Sequence, residues 1–289
     1  MAPIGPPSTG SSSATPVNGS ASSPYRTVPR EHGARLGRVA APAGGVRASH
    51  GPLMRIAALV PAYQAAGHLA GVLGRLAALA RAPEILVVDD GSSDGTADVA
   101  RRAGVRVLVF PENRGKGHAL LAGFQALAEF DGVVTLDADG QHPPECLPAF
   151  IEAADRGADL VLGVRQRSGE MPLVRRLANG VASQWASWLA GQPVGDSQCG
   201  YRLYGRRLLA LTPITPGRYE VESEVIVRAA RLGFRLAQVS IPTVYGTEES
   251  QIRTARDVLR IVGVLARLTV ERVAPPAAMR RAGRARTAP

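Results

Sequence analysis

The sequence predicts an α/β fold built on a mainly parallel central sheet with helices on both faces. Two observations lead there. Short runs rich in β-branched residues alternate with helical segments at least four times between residues 55 and 165, an order that implies parallel strands joined by right-handed crossovers. Runs such as Ile85–Val88 are also continuously apolar, which suits strands covered on both sides. With 45% hydrophobic residues, a chain of 289 residues can bury such a core.

The elements follow in order. "RIAALV" reads as the first strand, with a helix from about Ala65 to Ala80 behind it. "EILVVD" and a helix over "TADVARRA" come next, then "VRVLVF" and a helix over "KGHALLAGFQALAEF", then "GVVTLD" and a helix after Pro143, and finally "DLVLGV". From residue 172 a helix carries Leu177, Val181, Trp185, Trp188 and Leu189 close to one stripe, and core packing is the commoner reason for such a stripe. A short strand-like stretch follows in "GDSQCGYRLYGRR" (195–207). Residues 251–273 form an amphipathic C-terminal segment. Arg256, Arg260, Arg267 and Glu271 share one stripe there, and the apolar side must be covered by the body, a second subunit or a membrane surface.

The ends differ from the middle. Residues 1–52 are rich in Ser, Pro and Gly and read as a disordered tail; residues 274–289 read as a disordered basic tail. Of the formal charge of +10, most lies in these ends: residues 1–52 hold five arginines and one glutamate, and residues 272–289 hold five arginines and no acid. The body between them carries 24 cations against 23 anions, which argues against a nucleic-acid groove built into the fold. Cys146 and Cys199 cannot make a disulfide framework, and the first 25 residues contain no apolar leader core, so the reducing cytosol is the expected compartment. Segments 56–74 and 177–195 lack Asp, Glu, Lys and Arg. Pro61 and Gln64 in the first, and Asn179, Gln192 and Pro193 in the second, weigh against a transmembrane helix.

Open parallel sheets bind ligands beyond the carboxyl ends of their strands, and three polar clusters fall there: Tyr63–Gln64, "DDGSSDGT" (89–96) and "DADGQH" (137–142). In extended backbone Asp137 and Asp139 project to one side. Two close carboxylates are reconciled by a shared cation, and Mg2+ or Mn2+ with one or two protein carboxylates and phosphate oxygens fits that need. A turn at Asp139-Gly140 before a proline-led helix is the bland alternative. Asp89 and Asp90, directly at a strand end, are candidate readers of a nucleoside, although Asp90-Gly91 also makes a turn and Ser93 or Asp94 a helix cap. Lys116, the only lysine among 34 cations, sits between glycines at a helix N-terminus, where an anion is favoured, without Walker-loop spacing. Asp196 is a candidate general base or an orienter of arginines.

Together "VPAYQ" (60–64), "VVDDGSSDGT" (87–96), "NRGKGHAL" (113–120), "DADGQHPPE" (137–145), "GVR" (163–165), "DSQCGYRLY" (196–204) and "IPTVYGTEES" (241–250) resemble the family 2 glycosyltransferases of the GT-A fold. The nearest branch includes dolichol-phosphate mannosyltransferase and bacterial polyprenyl-phosphate sugar transferases. The resemblance implies a GT-A domain over residues 53–250 and inverting sugar transfer from a nucleotide-diphosphate donor, with a divalent metal near Asp137, Asp139 and Gln141. It implies a nucleoside pocket lined by Pro61, Ala62, Tyr63, Asp89 and Asp90; Lys116, from its place at a helix N-terminus, and Asp137 are further candidates for the donor. Arg165 and Arg175 or Arg176 would hold a lipid phosphate acceptor at a membrane surface without a membrane span; Asp139, Asp196 and Arg165 are the candidate catalytic residues. A second copy of the chain is an admissible partner. The family usually continues Pro-Ala-Tyr-Asn-Glu, whereas this chain has Gln64 and Ala65. Transfer to a soluble or polysaccharide hydroxyl, and a catalytically idle nucleotide-binding domain, are the competing readings.

Overall fold

A computed structural model describes residues 54–166, 173–212, 214, 220–242 and 255–273. At its centre β1 (Ile56–Ala62) is buried along its whole length. Its side chains alternate between two cores. Ile56, Ala58, Val60 and Ala62 pack on one face with α1 (Ala66–Ala77), α2 (Thr96–Arg102) and α4 (Leu147–Asp155). Ala57 and Leu59 pack on the other with α3 (Lys116–Ala126), α6 (Arg206–Leu211) and α7 (Glu220–Arg231). The period of two along a strand therefore feeds both layers at once, which is why these strands read as unbroken apolar runs.

The seven strands lie in the order β3-β2-β1-β4-β6-β5-β7. β2 (Glu84–Asp89), β3 (Arg106–Val109) and β4 (Gly132–Thr135) extend β1 in parallel, as the alternation predicts. β4 is shorter than expected, ending at Thr135, so Asp137 and Asp139 lie beyond it. β6 (Arg202–Gly205) is antiparallel to both β4 and β5 (Leu160–Arg165), and β7 (Leu236–Ile241) closes that edge parallel to β5.

The reversed strand matters for function. Because β6 begins where β4 ends, with Arg202 opposite Thr135 and Leu162, the loop entering β6 reaches the same rim as the carboxyl ends of the parallel strands. The "DSQCG" segment thus joins the three clusters placed there by chain order.

α5 (Leu173–Ala190) and α8 (Ala255–Val273) form a third small core with α7, centred on Ala186, Leu189, Val227, Leu265 and Leu268. The expected stripe on α5 is only half buried. Trp185 and Leu189 pack inward, but Val181 is 65% and Trp188 52% exposed. Ser183 and Ala186 take the inner face instead, since the loop 194–197 comes close enough for Ser183 Oγ to accept the Ser197 N–H at 3.0 Å. Leu177 falls in the part of α5 whose side chains lie outside the described residues, as do Arg256 and Arg260 in α8. The body covers the Leu265 and Leu268 side of α8 and leaves Val262 and Val270 exposed; Trp185 Nε1 donates to Thr269 Oγ1 at 3.1 Å, and Arg267 bonds Glu224 of α7 at 2.7 Å. No helix among the described residues is long and apolar enough to cross a membrane.

Candidate active site

The loop after β2 shows how carboxylates organise one side of the rim. Asp90 is buried and accepts the N–H groups of Arg114 at 2.8 Å and Gly115 at 2.7 Å, pinning the turn that starts α3. Gly91, with φ 74°, is needed there: a Cβ would run into the backbone of Glu112 and Asn113. Asp89 Oδ1 accepts the Ser92 N–H at 3.0 Å. Asp94 serves two helices, accepting the Ala66 N–H of α1 with one oxygen and the Thr96 N–H of α2 with the other, both at 3.0 Å. These bonds satisfy donors that helix N-termini leave open. Pro61 and Ala62 are buried in β1, Tyr63 is exposed just beyond it, and Ala65 is buried with its N–H on Thr96 Oγ1.

The pinned turn delivers Lys116 into a cluster. Its Nζ lies 2.5 Å from Asp137 Oδ1 and 2.6 Å from Glu222 Oε1 on α7. Burial alone would lower the Lys116 ammonium, but Asp137 and Glu222 outweigh it and hold the group charged above the ordinary lysine range. Burial likewise pushes Asp137 up, and Lys116 and His142 reverse that to about 2. Gly200 closes this cluster from the β6 side, since a Cβ there would stand 2.7 Å from Asp137 Oδ2 and 2.8 Å from Lys116 Nζ.

Asp139 joins Asp137 through a turn rather than strand alternation. Gly140 takes φ 76°, and Gln141 donates its N–H to Asp139 Oδ1 at 3.0 Å. Burial and the neighbouring Asp137 charge both raise the Asp139 carboxyl. His142 is buried behind them. Its Nδ1 faces the Asp137 N–H at 3.3 Å and its Nε2 faces Cys199 Sγ at 3.7 Å, while burial lowers its pKa. The Cys199 thiol is pushed up to about 12 by burial, which leaves it inert as a nucleophile.

Arg165, at the end of β5, is gripped by Asp196 in a two-point pair of 2.7 and 3.1 Å. Asp196 also accepts the Gln198 N–H at 3.0 Å. Burial opposes its ionised form, and Arg165 overrides this to hold the carboxyl below its usual range. Arg165 is close enough to lower Asp137 as well. Behind them Arg202 is 0% exposed and spends its guanidinium on three carbonyls, those of Cys199 at 2.8 Å, Ser197 at 2.8 Å and Glu222 at 2.5 Å. One buried side chain thereby ties the "DSQCG" loop to the start of α7. For Arg175 and Arg176 only the helical backbone is described, and residues 243–250 of "IPTVYGTEES" lie outside the described residues.

Sequence reasoning places Asp137, Asp139 and Gln141 on one rim with residues 63–64 and 89–96, and the structure adds Lys116, Arg165 and Asp196 to it. It misses Glu222, His142 and Arg202. Glu222 had a signal: three acids alternate with Val221, Ser223 and Val225 in "EVESEV", and an acid 3% exposed needs a partner.

A family model described as Glycosyl transferase family 2 matches residues 57–210. An undecaprenyl-phosphate mannosyltransferase of Micrococcus luteus is 36% identical over 202 residues, covering 65% of this chain and 83% of that one. A polyprenol monophosphomannose synthase of Mycolicibacterium smegmatis is 32% identical over 205 residues, covering 66% and 77%. Among solved structures, glucosyl-3-phosphoglycerate synthase from Mycobacterium tuberculosis superposes with a TM-score of 0.64 at 23% identity, over 74% of this chain and 80% of that one. The same synthase with Mn2+ and uridine diphosphate gives a TM-score of 0.61. These likenesses identify the fold as GT-A.

Proposed function

Because the chain belongs to glycosyl transferase family 2, we propose that it transfers a sugar from a nucleotide-diphosphate donor to a polyprenyl phosphate at a membrane surface. The observation that carries the choice of acceptor is the Arg165–Asp196 pair. A hydroxyl acceptor needs a base, yet Asp196 is ionised, shared with Arg165 and the Gln198 N–H, and depressed in pKa. A base works best near the operating pH. A phosphate acceptor is already anionic and asks instead for an oriented cation, which Arg165 supplies. The two relatives named above carry undecaprenyl-phosphate and polyprenol transferase names, which supports the same acceptor class.

Asp137, Asp139 and Gln141 fit a hard divalent cation. Burial and, after it, the Asp137 charge raise Asp139, and a shared cation relieves the second of these. Among the described residues no group of three or more His, Cys, Asp or Glu is arranged to hold a metal, so the remaining ligands would be water and diphosphate oxygens, as Mg2+ and Mn2+ prefer. Once bound, the cation would stabilise charge on the departing nucleoside diphosphate. Tyr63, exposed beyond β1, would offer a ring face to the base, and Asp89, buried at the end of β2 with Oδ1 on the Ser92 N–H, would have its other oxygen for the ribose. Asp90 acts on the donor indirectly, by holding the turn that presents Lys116. Asp196 fixes Arg165, whose free edge, with Arg175 or Arg176 from α5, receives the acceptor phosphate. The acceptor oxygen attacks the anomeric carbon opposite the diphosphate, so the configuration inverts.

Exposed Val181 and Trp188 on one side of α5, and the five arginines of residues 272–289, support contact with an anionic lipid surface on the cytoplasmic side. Incubation with a panel of labelled nucleotide sugars and either undecaprenyl phosphate or a soluble glycan, read by mass spectrometry, tests the assignment. Product on the lipid phosphate is expected; product on the glycan alone overturns it.

A further inference from the structure

Lys116 occupies the place a cation would want. Among the described residues it is the only lysine or arginine within ion-pair distance of Asp137, and Glu222 holds its other side. The three groups come from α3, the segment after β4, and α7, and the absence of a side chain at Gly200 lets the backbone close over them. The cluster is therefore built by the whole fold.

Asp137 Oδ1 cannot serve the ammonium at 2.5 Å and a divalent cation together without strong repulsion between the two. The ammonium sits on a flexible four-carbon stem with three donors, so it can swing. Glu222 is 3% exposed and lies on a rigid helix, so it cannot follow. We propose that Lys116 is an internal stand-in for the divalent cation, and that Glu222 is the positioning residue that keeps the displaced ammonium paired when the metal takes Asp137. This inference rests on the metal reading above. Two consequences follow from charge balance. Lys116 competes with the metal for Asp137, and Glu222 weakens that competition by sharing the ammonium.

The test is titration of Mn2+ alone into the full chain, followed by electron paramagnetic resonance of the free ion. Lys116→Met should bind Mn2+ roughly tenfold more tightly than the parent chain, and Glu222→Gln roughly fivefold more weakly. In the Lys116→Met background, Glu222→Gln should change affinity by about twofold or less, because its effect passes through the lysine. Equal or weaker binding by Lys116→Met overturns the proposal, as does an undiminished Glu222→Gln effect without the lysine. A purely structural Glu222 would shift the melting temperature and leave Mn2+ affinity unmoved. If Lys116→Met does not fold by circular dichroism, Glu222→Gln decides alone: weaker binding supports the proposal, unchanged or tighter binding overturns it. Asp139→Ala separates the two levels, since a parent chain that binds no Mn2+, or an Asp139→Ala chain that binds as well as the parent, removes the metal reading itself.

Discussion

On the β3-β2-β1-β4 side of the rim, acids hold backbone donors: Asp89, Asp90 and Asp94 together accept N–H groups from Ser92, Arg114, Gly115, Ala66 and Thr96. On the β6-β5-β7 side a cation holds backbone acceptors, with Arg202 gathering the carbonyls of Ser197, Cys199 and Glu222. The difference follows from strand direction. Each parallel strand ends at the rim and is followed by a helix N-terminus whose N–H groups are unpaired, and carboxylates suit them. β6 starts at the rim, so a loop with outward carbonyls arrives there, and an arginine suits those. Lys116 crosses between the halves, joining Asp137 on one side to Glu222 on the other.

The contrast can be attacked at several points. The largest expected effect is on chemistry where the halves meet: Asp139→Ala should lower turnover of a labelled donor by about 10³-fold while circular dichroism stays unchanged. An idle nucleotide-binding domain would have no turnover to lose. Next is the cationic anchor. Arg202→Met removes the guanidinium from three buried carbonyls, of which that of Ser197 keeps only a 3.5 Å bond from Ser223 Oγ, and should cost roughly 3–5 kcal/mol in urea unfolding. Arg165→Lys, which keeps charge at a partly exposed site, should cost about 1 kcal/mol or less and lower turnover by about 10²-fold. Equal destabilisation by both would erase the distinction between anchor and acceptor arginine.

A smaller effect concerns pH. Against the opposing effect of burial, Lys116 and His142 hold the Asp137 carboxyl at about 2, below the ordinary aspartate range, so its contribution is complete above the unfolded value and is lost as pH falls from there toward 2. Acid unfolding with chelator present should show roughly 2 kcal/mol of this loss, and Asp137→Asn should flatten that part of the curve. Asp139, raised in the fold, acts in the opposite sense, its ionisation costing stability as pH rises through its titration. Smallest is the acidic anchoring of a single turn: Asp94→Ala removes caps from α1 and α2 and should cost about 1–2 kcal/mol by thermal or urea unfolding.

The first half of the chain was legible because two of its strands point to their own ends. "EILVVD" and "GVVTLD" run apolar toward an aspartate, although β4 stops at Thr135, and chain order alone sets those aspartates on one rim. The second half was less so. "YEVESEVIV" alternates like a strand yet its described residues form the helix α7, because Val221, Val225 and Ile226 join the core under the sheet and Glu222 and Glu224 meet Lys116, Arg228 and Arg267. The α5 stripe misled for a related reason: a close loop selects Ser183 and Ala186 for the inside and leaves Trp188 out.

Local pattern was sufficient for the layer order, the rim and most of its charged groups, since strand period, turn residues and helix starts are read within a few positions. Long-range pairing was needed for the reversed β6, for Glu222 beside Lys116 and for Arg202 among its carbonyls, contacts spanning 106 residues for Lys116 and Glu222 and 20 for Arg202 and Glu222. A buried charge finds its counter-charge by where the sheet and helices come to rest, and no window along the chain carries that information.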